Sequence, residues 1–332
     1  MIPTRPPPIL LALATGAPVA GANVAVATGA TRAAVCKQVA TLRARGLPIL
    51  PHGRAGYQLP WPLQLLDGAR IRAELPDALA SQLGALEVHW ELDSTSTELQ
   101  RRASDAPDLS VVLAETQTAG RGRRGRQWLS PPGMNLYLSC LKRFDHGFAA
   151  LAGLSLAVGT MLLRALATLE IAGAGLKWPN DVLTRGTHQP GGKLAGILVE
   201  LGGDYQGPCA AVIGIGLNLC LTPALREQTG QLVCDLATLN GGTPPDRNRV
   251  AATLIAALIG GLRQFEREGF AGFGADYARH DVLRDQAVCV SGAFGTFDGV
   301  GAGVDERGAL RVRLADGSVR VVDSADVTVR RQ

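Results

Sequence analysis

Sixty-six residues pass before the chain carries its first carboxylate, Asp67. By then Arg5, Arg32, Lys37, Arg43, Arg45 and Arg54 have placed six positive charges. The whole 332-residue chain is only +4, so the head holds +6 and the remaining 266 residues sum to −2. Such segregation divides the chain into a basic module suited to a polyanionic partner and a near-neutral body. Within the head, an apolar helix is predicted over about 8–15, a short one near 21–28 and a longer one from Arg32 to Arg45. Thr31 stands where it can N-cap the longer helix. Val35, Val39 and Leu42 recur on one face of that helix, while Arg32, Lys37 and Gln38 lie elsewhere on it. The turn His52-Gly-Arg-Ala-Gly56 then separates two short strands, with Arg54 at its tip. This order predicts a winged helix-turn-helix over residues 1–66, its second helix in the DNA major groove and its basic side chains on phosphates. Thr31, Arg32, Lys37, Gln38 and Arg54 are the candidate DNA contacts.

Two further domains follow. Residues 67–275 are predicted to form a mixed α/β body, with strands at 86–92, 110–114, 135–141, 176–178, 193–201 and 210–221. Helices are predicted near 95–103, 147–170 and 248–267. The close spacing of the last two strands favours a hairpin, so the sheet is expected to be largely antiparallel or mixed. The tail, 280–332, alternates apolar and polar residues between Asp298-Gly, Arg307-Gly and Asp316-Gly turns, as short strands of a small barrel do. The six cysteines are scattered, with neither a C-x-x-C pair nor a neighbouring His, which argues against a disulfide framework or a zinc site. They read as reduced thiols in a cytoplasmic protein. The uncharged run Phe148–Leu163 falls short of the ~20 residues that cross a bilayer, so a buried helix and no membrane association are expected.

The chemistry concentrates in short segments. Gly120-Arg121-Gly122-Arg123-Arg124-Gly125-Arg126 packs four guanidinium groups into six residues among glycines. Glycines let a backbone wrap a ligand, and the crowded cations call for several negative oxygens, as a polyphosphate supplies. The segment is not a Walker A loop, and Arg fills the variable positions of its formal G-x-G-x-x-G. An RNA-binding Arg/Gly patch is the alternative. Lys177-Trp178-Pro179-Asn180-Asp181 and Lys193-Leu-Ala-Gly196-Ile-Leu198 each set a lysine beside an apolar strand. A buried ammonium needs an anion, so a ligand carboxylate and a phosphoryl group are natural partners; strand-end lysines reaching for water are the alternative. Asn180 and Asp181 offer the oxygen ligands Mg²⁺ prefers. Gly214 and Gly216 alternate along a strand and clear one face for a ligand. Ser94, Thr95 and Ser96 either cap a helix or hydrogen-bond a small polar head group.

In this order, GRGRRG with its following Trp, KWPND, KLAGILVE and IGIGLN resemble the motifs of the biotin–protein ligases. With the basic head, the chain resembles the bifunctional bacterial type, which also represses biotin synthesis. The resemblance implies an α+β multidomain fold: a winged helix-turn-helix, a mixed sheet with helices like the class II aminoacyl-tRNA synthetases, and a C-terminal SH3-like β-barrel. It implies a two-step reaction, in which biotin and ATP give biotinyl-5′-AMP and the biotinyl group then passes to a lysine of the biotin carboxyl carrier protein of acetyl-CoA carboxylase. Catalysis would rest on Arg121, Arg123, Lys193 and Lys177. Biotin would be held by Ser94, Thr95, Ser96, Gln117, Arg121, Gly122, Arg123, Lys193, Gly196, Leu198, Gly214 and Gly216. ATP would meet Arg121, Arg123, Lys177, Asn180 and Asn218, and Mg²⁺ would meet Asp181 and Asn218. Operator DNA would bind residues 1–66, and a homodimer is a candidate assembly because a helix-turn-helix commonly reads paired half-sites.

Three departures stand out. Ser96 replaces the Asn often found there, residues 222–240 contain no aromatic to cover an adenine, and the helix near 21–28 is rich in Ala and Val. The alternatives are a ligase that has lost operator binding and a lipoate or octanoate transferase of similar fold, which the Arg-dense loop disfavours.

Overall fold

The computed structural model describes residues 5–186, 191–204, 207–292, 295–323 and 328–331. The head follows its periodicity. Helices α1 (Pro8–Leu13), α2 (Gly21–Thr28) and α3 (Arg32–Ala44) precede a two-stranded wing, β1 (Leu50–Pro51) and β2 (Tyr57–Gln58). Val35, Val39 and Leu42 of α3 are buried against Ile9, Leu10 and Leu13 of α1. The Thr31 hydroxyl caps α3 by accepting from the Ala34 amide at 3.1 Å. Thr31→Ala is therefore expected to cost about 1 kcal/mol, read as faster amide exchange along α3. Unaltered exchange would show the cap to be energetically silent.

The linker to the body is pinned by a buried ion pair. Arg247 donates to Gln64 O at 2.7 Å, to Glu115 Oε2 at 2.8 Å and to Asn135 O at 2.7 Å, and Glu115 also accepts from the Leu66 amide. These hydrogen bonds make the burial of two charges tolerable.

The body opens with α4 (Gly68–Ala73) and α5 (Asp77–Ala80), then β3 (Leu86–Leu92), α6 (Thr95–Arg101), β4 (Val111–Gln117) and β5 (Leu136–Phe144). It continues with α7 (Leu154–Thr168), β6 (Ala174–Lys177), β7 (Asp181–Thr184), β8 (Lys193–Gly203) and β9 (Cys209–Leu217). Helices α8 (Pro223–Gln228), α9 (Leu236–Leu239), α10 (Arg247–Glu268) and α11 (Ala271–His280) complete it. The seven strands form one sheet in the order β3-β4-β5-β9-β8-β7-β6, with β3 and β4 parallel and every other pair antiparallel. The expected mixed sheet is present. Both faces are covered, which explains the unbroken apolar run of β4: Val111 and Leu113 join the large core with α7 and α10, while Val112 and Ala114 join a smaller cluster with Leu99 of α6. Helix α7 begins later than its apolar run suggests, because Gly153 at φ +77° separates it from a 3-10 turn at Phe148–Leu151. Among the described residues no helix is long and apolar enough to cross a membrane.

The tail departs from expectation. Strands β10 (Ala287–Gly292), β11 (Gly295–Val304), β12 (Leu310–Arg313), β13 (Val319–Val322) and β14 (Thr328–Arg331) form an open antiparallel sheet, ordered β13-β12-β11-β10-β14. Among the described residues the SH3-like barrel is not formed, since β13 and β14 are opposite edges and do not pair. A barrel buries its inner face on itself. Here Val288, Val290, Leu310, Val312 and Val322 instead join the core of the body, and the two edge strands span only four residues each. A polar tie reinforces the union: Trp178 Nε1 donates to Gly308 O at 3.0 Å. Gly308, at φ +81°, lies so close to Gly153 that a Cβ would sit 2.9 Å from its Cα.

Candidate active site

The polar floor of the site begins where β3 ends. Ser94 caps α6, accepting from the Thr97 amide at 3.5 Å, and turns Thr95 and Ser96 inward, where both are buried. The Thr95 amide donates to Gln117 Oε1 at 2.9 Å. Ser139, fully buried on β5, gathers both hydroxyls, lying 2.7 Å from Thr95 Oγ1 and 3.0 Å from Ser96 Oγ. Sequence patterns do not single out Ser139; its one signal is a hydroxyl inside the apolar run Leu136–Leu141.

The glycines form the wall. Gly196 of β8 faces Gly216 of β9, and Leu198 faces Gly214, in register. A Cβ on Gly214 would stand 2.6 Å from Ser96 Oγ. One on Gly216 would stand 2.3 Å from the Trp128 ring, and one on Gly196 2.9 Å from it. The paired glycines thus make a slot in which the indole lies against bare backbone. Trp128, which along the chain merely follows the Arg loop, is a full member of the site. Gly216→Ala is expected to displace the ring and raise the KM for the small substrate about tenfold, a ~1.4 kcal/mol effect. An unchanged KM in steady-state assays would remove Trp128 from the ligand wall.

The Arg/Gly segment is a short ribbon. The Gly122 amide donates to Arg126 O at 2.7 Å and the Trp128 amide to Gly120 O at 2.9 Å. Positive φ at Arg124 and Gly125 reverses the chain at its tip. Two of the arginines have partners outside the ribbon. Arg121 pairs with Glu200 Oε2 at 2.9 Å, and Arg123 Nη1 donates to Asn180 Oδ1 at 3.4 Å. Lys193 opens β8 with Nζ 2.8 Å from Asp181 Oδ1 and 5.5 Å from the centre of the Trp128 ring.

Two cavities meet at Trp128 and Lys193, which line both. The first, of about 120 Å³, is lined by Ser94, Thr95, Ser96, Gln117, Arg121, Gly122, Arg123, Lys193, Gly196, Leu198, Gly214 and Gly216, together with Asn180 and Asp181. The second, of about 210 Å³, is bounded by Asn135, Asn218, Leu221, Leu225 and Val233 among others. Asn218 is held there by donating to Lys193 O at 3.1 Å and to Cys234 O at 3.2 Å. Asp181 and Asn218 therefore lie at different cavities, either side of Lys193. Lys177 lines neither cavity; it shares a shallow depression with Arg123, Arg124, Arg126, Asn180 and Asp181. Among the described residues no group of three or more His, Cys, Asp or Glu side chains is arranged to hold a metal. On the head, Thr31, Arg32, Lys37 and Arg54 are exposed and Gln38 is half-buried.

The arrangement is a polar cleft joined by a lysine and a tryptophan to a second cavity, with Arg121, Arg123 and Arg126 among the residues that line the cleft. Comparison with known proteins identifies the family. The biotin/lipoate A/B protein ligase family matches residues 90–218. Over 327 residues, 98% of each chain, the sequence is 35% identical to the bifunctional ligase/repressor BirA of Salmonella typhimurium. It is 34% identical to that of Escherichia coli, again over 98% of each chain. A structure of Aquifex aeolicus biotin protein ligase in complex with biotin and ATP matches with a TM-score of 0.62 at 26% identity, covering 75% of this chain and 99% of that one. With relatives this similar spanning the basic head, the body and the tail, the chain belongs to the biotin–protein ligases of the bifunctional ligase/repressor family.

Proposed function

We infer that the chain is an ATP-dependent biotin–protein ligase that forms biotinyl-5′-AMP and transfers the biotinyl group to a lysine of a biotin carboxyl carrier protein. The observation that carries this reading is the junction of two cavities at Lys193 and Trp128. In the first step the biotin carboxylate attacks the α-phosphorus of ATP and pyrophosphate leaves. Both partners are anions, so the protein's task is to align them and supply positive charge. The hydroxyl floor and Gln117 suit the ureido head of biotin, and the glycine wall with Leu198 suits its apolar body. Its carboxylate then reaches Lys193 and the Arg121–Arg123 ribbon. The apolar sides of the second cavity suit the base of ATP, with Asn218 at its edge and Leu221, Leu225 and Val233 lining it together with Trp128. Lys177 and Asn180 are assigned to the phosphates. Asp181 is the carboxylate that fits Mg²⁺ arriving with the triphosphate, since that ion keeps most of its waters and takes one or two protein oxygens; Asn218 is the more distant candidate. When bound, the ion neutralises phosphate charge. In the second step the acceptor lysine amine attacks the acyl carbon, forming an amide and releasing AMP.

Residues 67–275 are assigned to biotin and ATP, and 280–332 to a C-terminal β domain. Residues 1–66 are assigned to operator DNA, with Thr31, Arg32, Lys37, Gln38 and Arg54 at the contact, in a cytoplasmic protein acting as a homodimer. The decisive experiment incubates the full chain with ATP, Mg²⁺, labelled biotin and a carrier domain. Label on one carrier lysine, dependent on ATP, is expected. No label, or preferential transfer of octanoate or lipoate, would overturn the reading. A gel shift with DNA upstream of biotin-synthesis genes tests the repressor assignment, and failure to shift would leave a ligase alone.

A further inference from the structure

Leu225 belongs to two neighbourhoods at once. It is 4% exposed within the apolar core of the basic head, and it also lines the second cavity. Its seat in the head is Gly46, where a Cβ would stand 2.6 Å from Leu225 Cδ2. Gly46 follows α3 at φ +94°, and the next amide, of Leu47, donates to Leu42 O at 3.1 Å. The glycine that lets the chain leave the helix therefore also leaves the notch that receives α8. Neighbouring contacts hold the two parts together. Arg45 pairs with Glu91 of β3, whose side chain is buried, and Trp90 and Met134 of the body belong to the head's core.

Resting on the assignment of the second cavity to the base of ATP, we propose that the head is the outer buttress of the nucleotide site. By seating Leu225 in the Gly46 notch it fixes one wall of the cavity and so sets the affinity for ATP. Packed side chains transmit displacement because interiors have little free volume. A head that shifts or loosens therefore moves Leu225 against the bound base. The coupling is reciprocal: a ligand that presses on Leu225 is felt at the end of α3.

The test uses the full chain in ATP–pyrophosphate exchange. Gly46→Ala is expected to raise the KM for ATP about fivefold while the KM for biotin stays within about twofold. Leu225→Ala raises the KM for ATP by itself. The double variant should then be no worse than Leu225→Ala, because the truncated side chain no longer meets the added methyl. Alanine at φ +94° is strained and can cost the head its fold. Arg45→Gln, which removes the tie to Glu91 and spares Gly46, serves as the second variant, with the same selective rise expected. Flat ATP kinetics in folded variants, equal rises for both substrates, or additive effects in the double variant would overturn the proposal. Photolabelling with 8-azido-ATP separates the two readings. Label on residues 221–233 combined with flat kinetics sinks the buttress alone. Label elsewhere sinks the assignment of the cavity, and the buttress with it.

Discussion

Replacing Lys193 by alanine is expected to lower kcat/KM for biotin about a thousandfold, roughly 4 kcal/mol of transition-state stabilisation. Lys193 lines both cavities, and its ammonium lies 2.8 Å from Asp181 Oδ1. On the function proposed above, it is the cation that would meet the carboxylate and the α-phosphate together. Its removal has a second cost, since Asp181 loses its ion-pair partner. Calorimetry should show weaker biotin binding and pyrophosphate exchange should collapse. Since Lys193 is no part of the apolar core, thermal unfolding should barely change. Biotin binding that survives intact in a folded Lys193→Ala protein would refute the role.

Arg123→Ala is the second large effect. The side chain leaves the ribbon to reach Asn180 at 3.4 Å and lines the first cavity as well as the depression beside Lys177. On the function proposed above, a guanidinium there would cover the acyl-phosphate. The variant should fold normally and still activate biotin, but lose biotinyl-5′-AMP to solvent about ten- to a hundredfold faster. The half-life of the isolated enzyme–adenylate complex measures this directly. A half-life equal to that of the unaltered protein would refute the role of Arg123 in retaining the adenylate.

Much of the site is legible in the sequence because its residues come in short runs, and a run shares one local geometry. Ser94 to Ser96 cap and open α6, and Gly214 and Gly216 fall on one face of β9 through the two-residue period of a strand. The illegible part depends on which strands become neighbours. Ser139 matters only because β5 lies between β4 and β9, and Trp128 only because Gly196 and Gly216 meet in register. Leu225 is one more apolar residue in a stretch without aromatics, and only the closing of the head over it gives it a role. The expected barrel of the tail fails for the same reason. Alternation and turns predict strands correctly, but closure depends on what the apolar face meets, and here it meets the body.

The indole of Trp178 has consequences for anyone who would rebuild this chain. Its hydrogen bond to Gly308 fastens the turn carrying Lys177, Asn180 and Asp181 to the C-terminal strands. Those strands are not a detachable cassette. Grafting another ligase's last fifty or so residues onto this one would succeed only if the donor also supplied a glycine-tight corner for the tryptophan. A truncation meant to trim a dispensable appendage would instead unseat the turn that carries Lys177, Asn180 and Asp181.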